Sequence, residues 1–285
     1  METTIADSYG TKEGSTVTEC KPKTIVLIRH AQSTENVKVI RACECLTRLG
    51  NLLPPTCDQF TSTLSLLSLT IDSAVSVVGK SQIADMHAIL EREKFWSQHN
   101  FDLVLCSPLT RARETCAGML PGLGDDKNVM ILDDLEEATP FEHVFSATLI
   151  ERIERFKVWL GGRKEQNIAI FGHSQYFKKM LGLSTLMRNC DVWQCSFATR
   201  TENLNTDNTC QPVITYNWSD LGLLHRTELS EKHPYDKMIN GDGDEVFNEL
   251  HEDKPFASTP KVWYKTNERT LIVVLILFYK HTLLF

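Results

Sequence analysis

Three short clusters in this 285-residue chain carry the residue types that phosphate handling requires. The first reads Arg29-His30-Ala-Gln-Ser33-Thr-Glu-Asn36, the second Ser107-Pro-Leu-Thr-Arg111-Ala-Arg113-Glu-Thr115, and the third Gly172-His173-Ser174. Arginine presents a planar fork of donors that matches phosphate oxygens. Imidazole changes protonation near neutral pH and can donate, accept or attack. Two histidines and at least two arginines brought together would make a site for an anion.

The elements before each cluster suggest how they come together. Each cluster follows a short continuous apolar run: Thr24-Ile-Val-Leu-Ile28, Leu103-Val-Leu105 and Asn167-Ile-Ala-Ile-Phe171. Such runs mark strands buried on both faces. Between them the apolar residues recur at helical spacing. Ile83, Met86, Ile89 and Leu90 form one stripe; Phe145, Leu149, Ile153, Phe156 and Leu160 form another, ended by Gly161-Gly162. Buried strands alternating with amphipathic helices predict an α/β domain with a largely parallel sheet. Ligands of open α/β sheets bind beyond the carboxyl ends of the strands, so the three clusters are expected to meet in one crevice. The helices that follow begin there too, with free N–H groups that favour an anion.

Taken in order, these clusters resemble the motifs of the histidine phosphatase superfamily, which includes the cofactor-dependent phosphoglycerate mutases and the fructose-bisphosphatase-2 type enzymes. Arg29-His30-Ala31 with Ser33 and Asn36 is similar to its Arg-His-Gly/Ala signature. Ser107 to Ala112 resembles its second motif and Gly172-His173-Ser174 its third. Ser76, Gly79 and Gln82 match a looser pattern leading into the first long helix. The resemblance spans roughly residues 24–197 and implies a three-layer αβα architecture of phosphoglycerate mutase-like type.

It also implies roles. A phosphomonoester repels anionic nucleophiles, whereas a neutral imidazole nitrogen can attack phosphorus and form a phosphohistidine that water then cleaves. His30 takes that role, with its other nitrogen donating to a backbone carbonyl. Arg29, Arg111 and His173 would hold the non-bridging oxygens, and Ser33 and Asn36 could add hydrogen bonds or cap the next helix. The leaving oxygen needs a proton. The family's Leu-x-Glu segment corresponds to Leu135-Glu136-Glu137, which selects Glu137 as the acid, with Glu136 as runner-up. Arg113 could reach the substrate or sit in a surface ion pair.

The sequence departs from the mutases. Val37 to Leu53 lacks their extended motif, and Ala138-Thr-Pro-Phe141 stands where they continue Arg-His-Tyr-Gly. Hydrolysis is therefore expected, with phosphoryl transfer or phosphate binding without turnover as the other readings. The substrate class is a phosphorylated small molecule or a phosphoprotein. No metal or cofactor is expected, since the arginines supply the positive charge.

The net charge of −7 argues against a nucleic-acid partner, and nine cysteines without a CxxC pair suggest reduced thiols in a cytoplasmic setting. Residues 1–20 read as a flexible polar leader and 21–265 as the catalytic domain. Within it, 37–71 reads as an inserted cap or loop and 199–212 as an exposed loop. The apolar tail at 266–285 remains open between core element, membrane anchor and aberrant terminus. As a helix, 270–285 reaches only about 24 Å against a hydrocarbon core of about 30 Å.

Overall fold

The computed structural model describes residues 17–50, 52–65, 72–120, 129–138, 142, 146–206 and 209–230. The leader up to residue 16, Phe145 of the second helical stripe and the apolar tail lie outside these. Seven strands form one sheet: β1 (Val17–Glu19), β2 (Lys23–Arg29), β3 (Leu103–Cys106), β4 (Val129–Ile131), β5 (Asn167–Gly172), β6 (Val192–Thr206) and β7 (Thr209–His225). The helices are α1 (Thr34–Gly50), α2 (Cys57–Ser65), α3 (Val77–Arg92), α4 (Phe95–His99), α5 (Thr110–Met119), α6 (Ser146–Gly161) and α7 (Ser174–Leu181). Among the described residues no helix is long and apolar enough to cross a membrane.

Four strands run parallel in the order β2-β5-β3-β4, and β6 joins the β2 edge antiparallel. The apolar runs lie here because both faces of these strands are covered. Ile25, Leu27, Leu105, Ile168 and Ile170 meet Leu149, Ile153, Phe156 and Leu160 of α6 and Phe177 of α7. On the other face Val26, Ile28, Val104, Cys106 and Phe171 meet Ile83, Met86 and Leu90 of α3 and Ala112, Cys116 and Met119 of α5. Period-two strands thus feed two period-3.6 layers, giving the three-layer αβα architecture that the resemblance implies.

Three segments differ from the sequence reading. Residues 199–206 and 209–212 are strand rather than loop: they belong to the β6–β7 hairpin, which pairs through Arg200↔Thr215 and Glu202↔Val213. Backbone pairing, which needs no apolar side chain, holds them there. Pro212 is tolerated because among the described residues β7 pairs with β6 alone, so a missing N–H can face outward. Val17–Glu19, read as flexible leader, pairs with Arg200–Glu202 as β1. The 37–71 stretch is largely helical through α1 and α2, which pack on each other and are tied by Gln59 Nε2 donating to Glu44 at 3.2 Å.

Register is what matters for the site. Arg29 pairs with Gly172 and Cys106 with Phe171, so the adjacent strands β2, β5 and β3 end at one level. The ladder extends one step further, with His30 N donating to Gly172 O and Ser107 N to Phe171 O, both at 3.0 Å. Gly79 lets α3 approach that level: a Cβ there would lie 2.1 Å from the carbonyl oxygen of Gln32.

Candidate active site

His30, Ser107 and His173 are the first residues beyond the three aligned strand ends. The two imidazoles face each other with centroids 5.0 Å apart and planes tilted by 56°. They are 2% and 0% exposed, and Arg29 and Arg111 beside them are 1% and 7% exposed. The crevice expected from the strand ends is therefore lined by side chains largely removed from solvent.

His30 Nδ1 lies 2.6 Å from the carbonyl oxygen of Ala31. A carbonyl can only accept, so Nδ1 carries the hydrogen and Nε2 keeps its lone pair. The turn presenting the ring is pinned from several elements. Asn189 Nδ2 donates to the His30 carbonyl at 3.0 Å, and Ala31 N donates to Thr115 Oγ1 at 2.9 Å. Gln32 N donates to Gln82 Oε1 at 2.8 Å. Arg29 donates through Nη1 to the carbonyl of Met187.

His173 precedes α7, and its Nε2 is 2.8 Å from Ser107 Oγ. Among the described residues its Nδ1 is buried without a hydrogen-bond partner. Ser107 Oγ also accepts from Leu109 N at 3.3 Å, and its hydroxyl can either donate to His173 Nε2 or accept from it. When it donates, Nδ1 holds the ring proton and is a donor awaiting an acceptor.

Glu137 arrives from the carboxyl end of β4, after a 3-10 turn at Asp133–Leu135. A ligating atom from each of His30, Glu137 and His173 lies within 4.8 Å of the others. Glu136, one residue earlier, is not in this group. Glu137 Oε1 accepts from Ala138 N at 2.9 Å and from Tyr176 N, in the first turn of α7, at 3.1 Å. With Oε1 so engaged, Oε2 is the oxygen left to carry a proton. The three side chains could in principle ligand a metal ion. The guanidiniums of Arg29 and Arg111 put positive charge beside them, which opposes a cation and suits an anion.

Ser33 and Asn36 lie where the chain passes from His30 into α1. They form a reciprocal cap at the start of α1: Asn36 N donates to Ser33 Oγ at 3.2 Å and Ser33 N to Asn36 Oδ1 at 3.1 Å. Arg113 is exposed on α5. Arg111 sits in the first turn of α5, whose N-terminus is capped by Asp72 accepting from Thr110 N at 2.7 Å. Thr115, Asn189 and the Met187 carbonyl were not singled out from sequence. Each supports the backbone or a guanidinium of Arg29-His30-Ala31, and no local pattern marks such a contact.

Burial, then the charge of Arg111, holds both imidazoles well below the ordinary value of 6.5; His173 and Arg29 add to this at His30, and Arg29 and Arg152 at His173. The unfolded chain takes up protons at these positions as pH falls through about 6.5, while the folded protein does not. Their contribution to stability is complete above that pH and is lost on acidification, by up to about 1.4 kcal/mol per pH unit for each ring. Urea unfolding between pH 7 and 5 is expected to show this slope, and His173→Gln to flatten it. An unchanged slope in the variant would mean that His173 is not held neutral.

No protein-family model and no curated protein matches the chain. Among solved structures it is similar to a mycobacterial glucosyl-3-phosphoglycerate phosphatase complexed with VO3, at 13% identity, covering 68% of this chain and 97% of that one with a TM-score of 0.39. It is similar to the phosphoserine phosphatase of Entamoeba histolytica, at 16% identity over 69% of this chain and 96% of that one, TM-score 0.34. A third is the protein histidine phosphatase SixA complexed with tungstate, at 11% identity over 69% and 96%, TM-score 0.35. All three are phosphatases by name. With TM-scores of 0.34 to 0.39 the likeness is loose, and the chemistry has to be read from the site itself.

Proposed function

We propose that the protein is a phosphatase of the histidine phosphatase superfamily that hydrolyses phosphomonoesters through a phosphohistidine on His30. The observation that carries this is the His30 ring, buried, with its pKa held down, bonded through Nδ1 to a carbonyl so that Nε2 keeps its lone pair, and 5.0 Å from the His173 ring. A neutral nucleophile avoids the repulsion that a phosphate dianion imposes on an anion.

In the first half-reaction Nε2 forms a bond to phosphorus as the ester P–O bond breaks, and the departing oxygen takes the proton from Glu137 Oε2. In the second, water attacks phosphorus as the P–N bond breaks, its proton passes to Glu137, and inorganic phosphate leaves. Arg29, Arg111 and the His173 Nδ1 hydrogen hold the three non-bridging oxygens as their charge redistributes. Such donors act strongly where water is excluded and their positions are already set. The helix N-termini at Thr34 and Ser174 add fixed positive potential at the same rim. The mechanism uses no metal.

Purified protein incubated with para-nitrophenyl phosphate in excess EDTA should release phosphate. Activity that EDTA removes and zinc restores would favour a metal at the His30–Glu137–His173 group. Phosphate binding without release would leave a phosphate-binding protein. Transfer to an added alcohol that outpaces hydrolysis would favour the mutase-type reading.

A further inference from the structure

Among the described residues 132–138, the segment that brings Glu137 to the histidines contains one 3-10 turn. Its backbone is nonetheless gathered onto a single side chain from the second turn of α6. Arg152 Nη1 donates to the carbonyl oxygens of Glu136 at 2.6 Å and Asp134 at 3.2 Å, and Nη2 reaches that of Glu137 at 3.4 Å. The same guanidinium is oriented by Glu142, with Nη2 to Oε2 at 2.9 Å and Nε to Oε1 at 3.3 Å. One face lies over the ring of Tyr176, 5.4 Å from its centroid. The backbone N–H of that tyrosine is a donor to Glu137 Oε1. The pair is largely removed from solvent, with Arg152 12% and Glu142 11% exposed.

We propose that Arg152, oriented by Glu142, is the positioning residue of the general acid: it holds the backbone of residues 134–137 from behind so that the Glu137 carboxylate projects toward His30 and His173. This rests on the phosphatase reading above and adds to it a residue outside the phosphate hollow. The physical ground is the number of donors on one rigid plane. A guanidinium fork satisfies several carbonyls and a carboxylate at once, whereas an ammonium is a point charge and cannot reproduce the pattern. A carboxyl displaced by about 1 Å loses a proton-transfer geometry that can be worth two orders of magnitude. Arg152 thus acts chiefly through Glu137, its charge being the last and smallest of the influences named at His173, and the step that needs the acid is where its loss weighs most.

Two aryl phosphates separate these steps. Phenyl phosphate releases a phenol of pKa about 10, which leaves poorly without a proton, whereas 2,4-dinitrophenolate departs unprotonated. The parameter is kcat/KM, which covers the steps through departure of the alcohol. Arg152→Ala is expected to lower kcat/KM for phenyl phosphate by about 30-fold and for 2,4-dinitrophenyl phosphate by less than about threefold. Arg152→Lys should recover only part of the loss. Equal losses on both substrates, or none on either, would overturn the inference. Wild-type protein inactive on both would overturn the phosphatase reading, and this inference with it. Should Arg152→Ala fail to fold, Glu142→Gln, which leaves the guanidinium in place but frees its plane, is expected to show the same substrate split.

Discussion

Replacing His30 by alanine is expected to lower turnover of para-nitrophenyl phosphate by about 10,000-fold or more, the scale on which removal of a nucleophile acts. The residual donors cannot substitute for it. His173 Nε2 is engaged with Ser107 Oγ, and its Nδ1 serves as a donor rather than an attacking lone pair. Glu137 serves as the proton donor of that step and not as a nucleophile. The covalent step gives a second readout independent of rate. Rapid quench with labelled phenyl phosphate should trap label on wild-type protein, stable to base and labile to acid as a P–N bond is, and none on His30→Ala. The fold should survive, because the turn at 30–32 is pinned through its backbone by Asn189, Thr115 and Gln82. Label on the alanine variant would place the nucleophile elsewhere.

Arg111→Ala should show the next largest loss, about 100- to 1,000-fold in kcat, the scale of removing one preorganised oxyanion donor. A second effect distinguishes it from an ordinary binding residue. After burial, the Arg111 charge is the leading influence that keeps both His30 and His173 neutral. Its removal therefore lets both imidazoles titrate at higher pH, and the acid limb of kcat/KM moves toward neutrality in step with the kcat loss. Imidazole proton resonances followed against pH measure the shift directly. Arg111→Lys should restore much of the electrostatic effect but little of the rate, since a point charge lacks the fork. If the histidine titrations do not move in the alanine variant, the guanidinium does not face the rings as described. Arg29 is expected to behave differently: its bond to the Met187 carbonyl ties it to the segment before β6, so truncation should cost stability as well as rate.

Much of the scaffold was legible in the chain itself. The strands at Lys23–Arg29, Leu103–Cys106 and Asn167–Gly172 are read from unbroken apolar runs because both faces are covered, a signal that survives in local sequence. Helices α3 and α6 follow from a 3.6-residue stripe for the same reason. The β6–β7 hairpin was obscured because its outer half is held by backbone pairing to β1 and β7, and paired backbone leaves no apolar imprint on polar side chains. Its inner half did carry a period-two signal, in Trp193, Cys195 and Phe197, all packed into the core.

Within the site the same division holds. Residue types and their places at strand ends identify His30, His173, Arg29 and Arg111, because chemistry restricts which side chains can serve and the strand–helix order restricts where they stand; Glu137 comes from the Leu-x-Glu segment that the family resemblance implies. The sequence by itself thus determines the α/β class and the group of side chains that meet. Tertiary structure decided the tautomer of His30, through a carbonyl one residue away. It also separated Glu137 from Glu136, and it recruited Arg152 from a helix whose pattern reports only its buried face. Each of those is a contact between polar groups whose partners are set by how elements dock, and hydrogen bonds formed across elements leave no periodicity for a linear reading to find.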